Sequence, residues 1–190
     1  MVGRQWALIA LFVVMIGVAA RLSFALPGSD VPQTAQTVAV LVAGGVLGLS
    51  NASLCLILYL AIGALGAPIF AGGSSGAAVL FGPTGGYLAG FWLAACALGY
   101  LRDRGWLQTS VFAPVLAAGA GHVLIVGLGA LLLSFSVGLP AAWFNGVQPF
   151  LIGALAKSVI AGVILIGYFA LVGKSKQQER THVQGKQDAT

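Results

Sequence analysis

The sequence predicts an all-α integral membrane protein with six transmembrane helices and glycine-rich broken or re-entrant segments on the outer side. Three observations predict it. Only 7% of the 190 residues are charged, against about 25% in an ordinary soluble domain, while 59% are hydrophobic and the mean hydropathy is +1.00. Apolar runs long enough to cross or nearly cross a bilayer recur along the chain, separated by turn residues. The 28 glycines, about twice the usual share of roughly 7%, lie inside those apolar runs rather than in polar linkers.

The distribution of charge sets the domain organisation. Lys174, Lys176, Glu179, Arg180, Lys186 and Asp188 all fall at the end of the chain, which marks residues 174–190 as a charged cytoplasmic tail behind a single six-helix domain, 1–173. A body this poor in charge cannot cover a soluble surface. The net charge of +5 comes from ends and loops rather than from a basic face, so nucleic acid is excluded as a partner and membrane lipid is expected. Cys55 and Cys96 sit alone in apolar segments without metal-ligand spacing, and the sequence predicts neither a metal nor a cofactor.

The expected spans lie near residues 6–26, 35–50, 52–67, 77–101, 108–134 and 147–172. The first begins after Arg4 and ends near Ser23-Phe24-Ala25, which resembles a secretory signal with its cleavage site; it is read as a retained helix. The second and third are short and separated only by Ser50 and Asn51. Gly72, Gly73, Ser74, Ser75 and Gly76 form a flexible connection after Pro68. The fourth is interrupted at its start by Gly82-Pro83-Thr84-Gly85-Gly86, and Gly82, Pro83, Gly85 and Gly86 are the candidate gating or broken-helix residues. Such backbone is tolerated at membrane depth only against protein or along a cavity. Two four-residue glycine ladders, Gly82/Gly86/Gly90 and Gly44/Gly48, predict close helix contacts.

Six spans put both termini on one side. With that side cytoplasmic, the inner segments carry Arg4, Arg102, Arg104, Lys174, Lys176, Arg180 and Lys186, and the three outer connections carry no Lys or Arg, Asp30 lying in the first of them. The expectation is a multi-pass protein of the bacterial inner membrane with both termini cytoplasmic.

Ionisable groups within spans are costly and single out Arg21, His122 and Lys157. Arg21 is close enough to the outer end of its span to snorkel. His122 reads as a hydrogen-bonded packing residue. Lys157 lies about ten residues into the sixth span, about 15 Å along a helix, near the limit of what a lysine stem bridges. No Asp or Glu falls inside any span, which argues against carboxylate proton relays and aspartyl proteolysis. There is no H-E-x-x-H, and no serine or cysteine stands beside a plausible base, so no enzyme is expected. Gly173-Lys174-Ser175 imitates the end of a phosphate-binding loop, but Tyr168 stands where its first glycine belongs.

A buried lysine without a carboxylate needs an external anion, which favours an anionic small-molecule ligand. Gln36, Thr34 and Thr37 at the start of the second span, Thr84 in the broken segment, and Asn145 and Gln148 at the entry to the sixth can supply neutral hydrogen bonds. Phe70, Phe81, Tyr87, Trp143 and Phe150 can wall an apolar pocket.

Three strings then carry a resemblance: Val31-Pro32-Gln33-Thr34-Ala35-Gln36-Thr37; Tyr59 through Gly73, reading YLAIGALGAPIFAGG; and Gly82 through Phe91, reading GPTGGYLAGF. Their order and spacing resemble the BioY family, the biotin-binding S components of energy-coupling-factor transporters, over residues about 8–172. The likeness continues through Gly121-His122 and Gly146 to Leu151. It implies a six-helix protein that binds biotin from the outer side, and as partners a transmembrane coupling protein and cytoplasmic ATP-binding-cassette ATPases, the chain itself having no ATPase site. Lys157, Gln36, Thr84, Tyr87, Asn145, Gln148, Phe70 and Phe150 are the expected substrate-binding residues, and of these the resemblance itself matches Lys157 to the family's lysine. Homo-oligomerisation is left open.

Two positions depart from the family pattern. Where the family reads Gly-Asp-x-x-Lys, this chain has Gly153-Ala154-Leu155-Ala156-Lys157, so the lysine matches and the aspartate does not. The alanine-x-x-x-alanine docking face of the first helix is also missing, since Ala7 is followed by Leu11 and Ala10 by Val14. Other function classes compatible with the composition are a channel or facilitator for a small solute, an S component for another anionic vitamin-like substrate, and an intramembrane scaffold.

Overall fold

The computed structural model describes residues 2–24 and 31–187, with side chains over 3–23 and 31–173. Asp30, the end of the first predicted span and the side chains of the charged tail lie outside the described residues. The elements are α1 (Val2–Ala19), β1 (Ser23–Phe24), β2 (Gln33–Thr34), α2 (Gln36–Leu47), α3 (Leu49–Ala64), α4 (Gly85–Asp103), α5 (Ala113–Val137), α6 (Leu139–Gly146) and α7 (Leu151–Gln187), with single 3₁₀ turns at Ala71–Gly73, Ala77–Phe81, Trp106–Gln108 and Gln148–Phe150.

α2 sits at the centre. It is apolar all round, as a helix enclosed by others must be, and 10 of its 12 residues are buried. α4 lies against it and packs most extensively on α5; α7 closes on α5 and α2, and α1 lies on α3 and α2. Ile9, Phe12 and Ile16 of α1 are buried in the common core, so this helix is an integral part of the packing. The glycine ladders act at these contacts in part. A Cβ on Gly90 would stand 2.8 Å from the Ile125 Cα, one on Gly86 2.9 Å from the Leu128 carbonyl, and one on Gly44 2.6 Å from the Ala95 carbonyl. Gly82 precedes α4 and is not part of the ladder.

The expected break at Ser50-Asn51 falls instead at Gly48. Its φ of +79° reverses the chain between α2 and α3, a conformation that glycine adopts without strain, while Ser50 and Asn51 lie in the first turn of α3. That first turn is capped from a distance: Asp103, the last residue of α4, accepts the Leu49 N–H at 2.8 Å and pairs with Arg102 at 3.1 Å. Asp103→Ala removes a helix cap worth about 0.5–2 kcal/mol. It should lower the melting temperature of the detergent-solubilised protein by a few degrees, since about 1 kcal/mol corresponds to roughly 2–4 °C in a chain of this size.

Three further expectations are corrected. The first span ends at Ala19, so Arg21 lies beyond the helix rather than within it. The fourth helix is preceded, not interrupted, by the glycine-proline segment: Gly85 is its first residue and Thr84 its N-cap. The stretch between the fifth and sixth spans contains α6, entered through Gly138 at φ +82° with Pro140 in its first turn. α7 continues as helix through residue 187, so no break separates the charged tail from the span before it.

Among the described residues, Ala113–Val137 and the stretch Leu139–Gly173 are long and apolar enough to cross a membrane. α2 and α3 are shorter, spanning about 18 Å and 24 Å against a hydrocarbon core of about 30 Å.

Candidate functional site

At one end of the bundle the antiparallel ribbon β1–β2, with Ser23 opposite Thr34 and Phe24 opposite Gln33, runs into the start of α2. This places Thr34, Gln36 and Thr37 around a narrow cavity with about 600 Å³ of space, part of it open to solvent. The α3–α4 connection adds Phe70 and Thr84, α4 adds Tyr87 and Phe91, and α5 adds His122 and Ile125; Phe150 stands just before α7, which supplies Ala154 and Lys157. Six of the eight residues named from sequence thus share one cavity: Lys157, Gln36, Thr84, Tyr87, Phe70 and Phe150.

Lys157 is the charged residue in that wall. α7 starts at Leu151, so the lysine is roughly 10 Å along its helix, shallower than the 15 Å expected when residues 147–150 were counted as part of the same helix. Nor does it stand alone. Its Nζ donates to Gln33 Oε1 at 2.8 Å and to the Thr34 carbonyl at 2.8 Å. Gln33 is buried and in turn donates through Nε2 to the Pro149 carbonyl at 2.8 Å, so one amide joins the ribbon, the lysine and the entrance to α7. Gly153 makes room for it: a Cβ there would lie 2.8 Å from Gln33 Oε1. Both lysine partners are neutral, and an ammonium has three N–H groups, so one donor remains for a ligand.

Gln33 was overlooked as a site residue, although it lies in the first family-like string. The readable signal was Gly153, one helical turn before the lysine. Gln33→Ala should loosen the lysine and the ribbon together and weaken ligand binding several-fold, with little change in helical content by circular dichroism.

Aromatic residues build the walls. The Tyr87 hydroxyl donates to the Gly146 carbonyl at 2.7 Å, its ring lies 5.7 Å from that of Phe150, and Gly129 of α5 leaves space for it. Gln36 Nε2 donates to the Tyr59 hydroxyl, which donates to the Ile69 carbonyl at 3.0 Å. Phe70, only 1% exposed, meets Tyr59 edge-on at 5.6 Å.

The remaining expectations fall elsewhere. Asn145, half-buried on α6, and Gln148, exposed in the 3₁₀ turn, do not line the cavity. Phe81 is 90% exposed, and Trp143 lines a neighbouring apolar groove between α5, α6 and α7. Gly82, Pro83, Gly85 and Gly86 gather at the entry to α4 and do not line the cavity either. Arg21 donates through Nη2 to the Pro68 carbonyl at 2.8 Å, fastening the end of α1 to the α3–α4 connection away from the cavity wall.

His122 is hydrogen-bonded, as expected. Nδ1 lies 3.2 Å from the Ala118 carbonyl and 2.8 Å from Ser158 Oγ, and Ser158 donates to the Ala154 carbonyl at 2.7 Å. Nε2 of the same ring and Oγ1 of Thr37 are buried without a hydrogen-bond partner among the described residues.

Comparison with known proteins gives the family and the fold. Residues 2–174 match the BioY family. The "Biotin transporter BioY" of Thermotoga maritima is 38% identical over 165 residues, 86% of this chain and 94% of that protein. The "Probable biotin transporter BioY" of Pyrococcus horikoshii is 35% identical over 164 residues, 86% of this chain and 95% of its own length. A 2.1 Å crystal structure of the S-component for biotin from an ECF-type ABC transporter superposes with a TM-score of 0.80 at 23% identity, covering 88% of this chain and 91% of that one, which shows a common fold.

Proposed function

The chain belongs to the BioY family, and from that premise we propose that it is the substrate-capture component of a biotin uptake transporter. It binds biotin in the cavity between β2, α4, α5 and α7 and passes it inward with a transmembrane coupling protein and ATP-binding-cassette ATPases; it is a transport subunit, not an enzyme. The observation that carries this reading is the single cation in the cavity wall, Lys157, oriented by Gln33 and Thr34 and framed by Tyr87, Phe70, Phe91 and Phe150. Biotin offers what such a wall selects: oxygen acceptors for the ammonium and an apolar bicyclic body for the rings.

The membrane setting rests on exposure as well as composition. Only 33% of the most apolar window of α5, and 28% of that in the Leu139–Gly173 stretch, is buried inside the protein. Phe135, Ile152 and Leu155, each more than two-thirds exposed, therefore face outward, as lipid-facing residues do and core residues of a soluble bundle do not. In the six-span reading α1 to α5 each cross the cytoplasmic membrane, the short α2 and α3 included, and α7 makes the sixth crossing. The Lys and Arg bias puts both termini inside and the cavity on the outer side. The channel reading has less support, since Leu41, Leu98 and Leu165 pack without exposure beyond 1% in the core shared by α2, α4 and α7.

The test is calorimetry on detergent-solubilised protein with biotin. The expected result is saturable binding at one site per chain and a raised melting temperature. Neither biotin heat nor thermal shift would end the substrate assignment, and ATP-independent, non-saturating uptake in vesicles would favour a facilitator instead.

A further inference from the structure

The cavity wall contains one charged donor and no charged acceptor. Lys157 can only donate, and among the described lining residues there is no carboxylate: residue 154, one turn from the lysine on α7, is alanine. Two polar atoms nevertheless lack partners in residues of this wall, Thr37 Oγ1 and His122 Nε2, and their residues are 9% and 4% exposed. A buried polar atom without a partner forfeits its hydration and gains nothing for it, which is uncommon enough to need a cause.

The hydrogen bonds around His122 define what its free nitrogen offers. The Ala118 carbonyl can only accept, so Nδ1 carries the proton; Ser158 gives its own proton to the Ala154 carbonyl and accepts from the same Nδ1. In the neutral ring this leaves Nε2 as a lone-pair acceptor. A second cation would also be poorly placed in a wall that already holds Lys157 without a carboxylate to offset it.

We propose that His122 Nε2 is the acceptor that recognises a ring N–H of the ligand, with Ala118 and Ser158 as the pair that fixes its tautomer. The proposal rests on the biotin reading and deepens it: one ureido N–H of biotin donates to His122 while an oxygen of the ligand takes the remaining N–H of Lys157. The Thr37 hydroxyl, which both donates and accepts, completes the polar lining. Because the cavity is narrow, the ligand parts its walls on entry, and the two unpartnered atoms acquire their hydrogen bonds in that step.

The test compares biotin with its two ureido N-methyl derivatives on the wild-type protein and on His122→Ala, all by calorimetry on the full chain. His122→Ala should weaken biotin binding roughly five- to a hundredfold. Methylation of one of the two nitrogens should weaken binding to the wild type by a similar factor and make little further difference in the variant, since the acceptor it blocks is already gone. Equal losses on methylation in both proteins, or unchanged biotin affinity in His122→Ala, would overturn the proposal while leaving biotin capture standing; no biotin binding by the wild type would overturn both. Should the variant not fold, ¹⁵N spectra of the wild-type histidine ring decide: biotin should shift Nε2 while Nδ1 stays protonated, and an unmoved Nε2 sinks the idea.

Discussion

Lys157→Met should weaken biotin binding by about ten- to a hundredfold while the protein still folds as a helical bundle. The factor follows from one charge-assisted hydrogen bond, worth about 1.5–3 kcal/mol, at about 1.4 kcal/mol per decade of affinity. Methionine keeps the length and apolar stem of lysine, so the side chain still fills its place beside Phe150 and Ala154. What it loses is the pair of bonds to Gln33 and Thr34 and the charge. Gln33 still holds the Pro149 carbonyl, so the ribbon stays attached to α7 and the loss reads out in affinity more than in melting temperature. Calorimetry with biotin, alongside circular dichroism, separates the two. An affinity within twofold of the wild type would remove Lys157 from the site. Arginine is no substitute at this position, since a planar guanidinium does not reproduce a compact ammonium held between an amide oxygen and a carbonyl.

Gly90→Leu is expected to have the largest effect on folding. α4 and α5 meet with backbone close to backbone, and the obstacle at Gly90 is not a flexible side chain: a Cβ would meet the Ile125 Cα at 2.8 Å and its carbonyl at 3.1 Å. Inserting a branched side chain there forces the helices apart, at a cost of about 1–3 kcal/mol or more. Tyr87 and Phe91 of α4 and His122 and Ile125 of α5 all line the cavity, so the same displacement distorts its wall. The expected outcome is a fall of several degrees in melting temperature, a large loss of monodisperse protein and loss of biotin binding. Gly167→Leu on α7, where a Cβ meets nothing within 4 Å, is the matched control and should leave both measurements nearly unchanged. Equal behaviour of the two variants would mean that the α4–α5 contact does not depend on Gly90.

Much of the cavity wall is legible in the sequence. Lys157, Phe70, Tyr87 and Phe150 were chosen because a cation or a large ring in a membrane segment is either a ligand contact or a packing anchor, and all four line the cavity. Gln36 followed from its place at the start of the second span and Thr84 from its place in the broken glycine-proline segment, and both line the cavity. Asn145 and Gln148 do not line the cavity: they fall on α6 and in the 3₁₀ turn ahead of α7, elements that hydropathy alone did not separate from the last span. Arg21 was misplaced because an apolar run continues past the end of α1 into the ribbon, and hydropathy does not distinguish a helix from a short strand in the same surroundings.

What the sequence determined by itself is the solvent: 7% charge admits a membrane bundle, and the gathering of that charge at one end of the chain and in the predicted inner connections is what the proposed orientation rests on. It also determined where helices can approach closely, because glycine acts through the absence of a side chain wherever it lies. Tertiary structure alone decided that Lys157 is held by Gln33, more than a hundred residues away, and that His122 keeps one nitrogen bonded and the other free. The physical reason is that hydropathy and spacing are local properties of the chain. A hydrogen bond between a two-residue strand and a distant helix exists only once the bundle has brought their ends together.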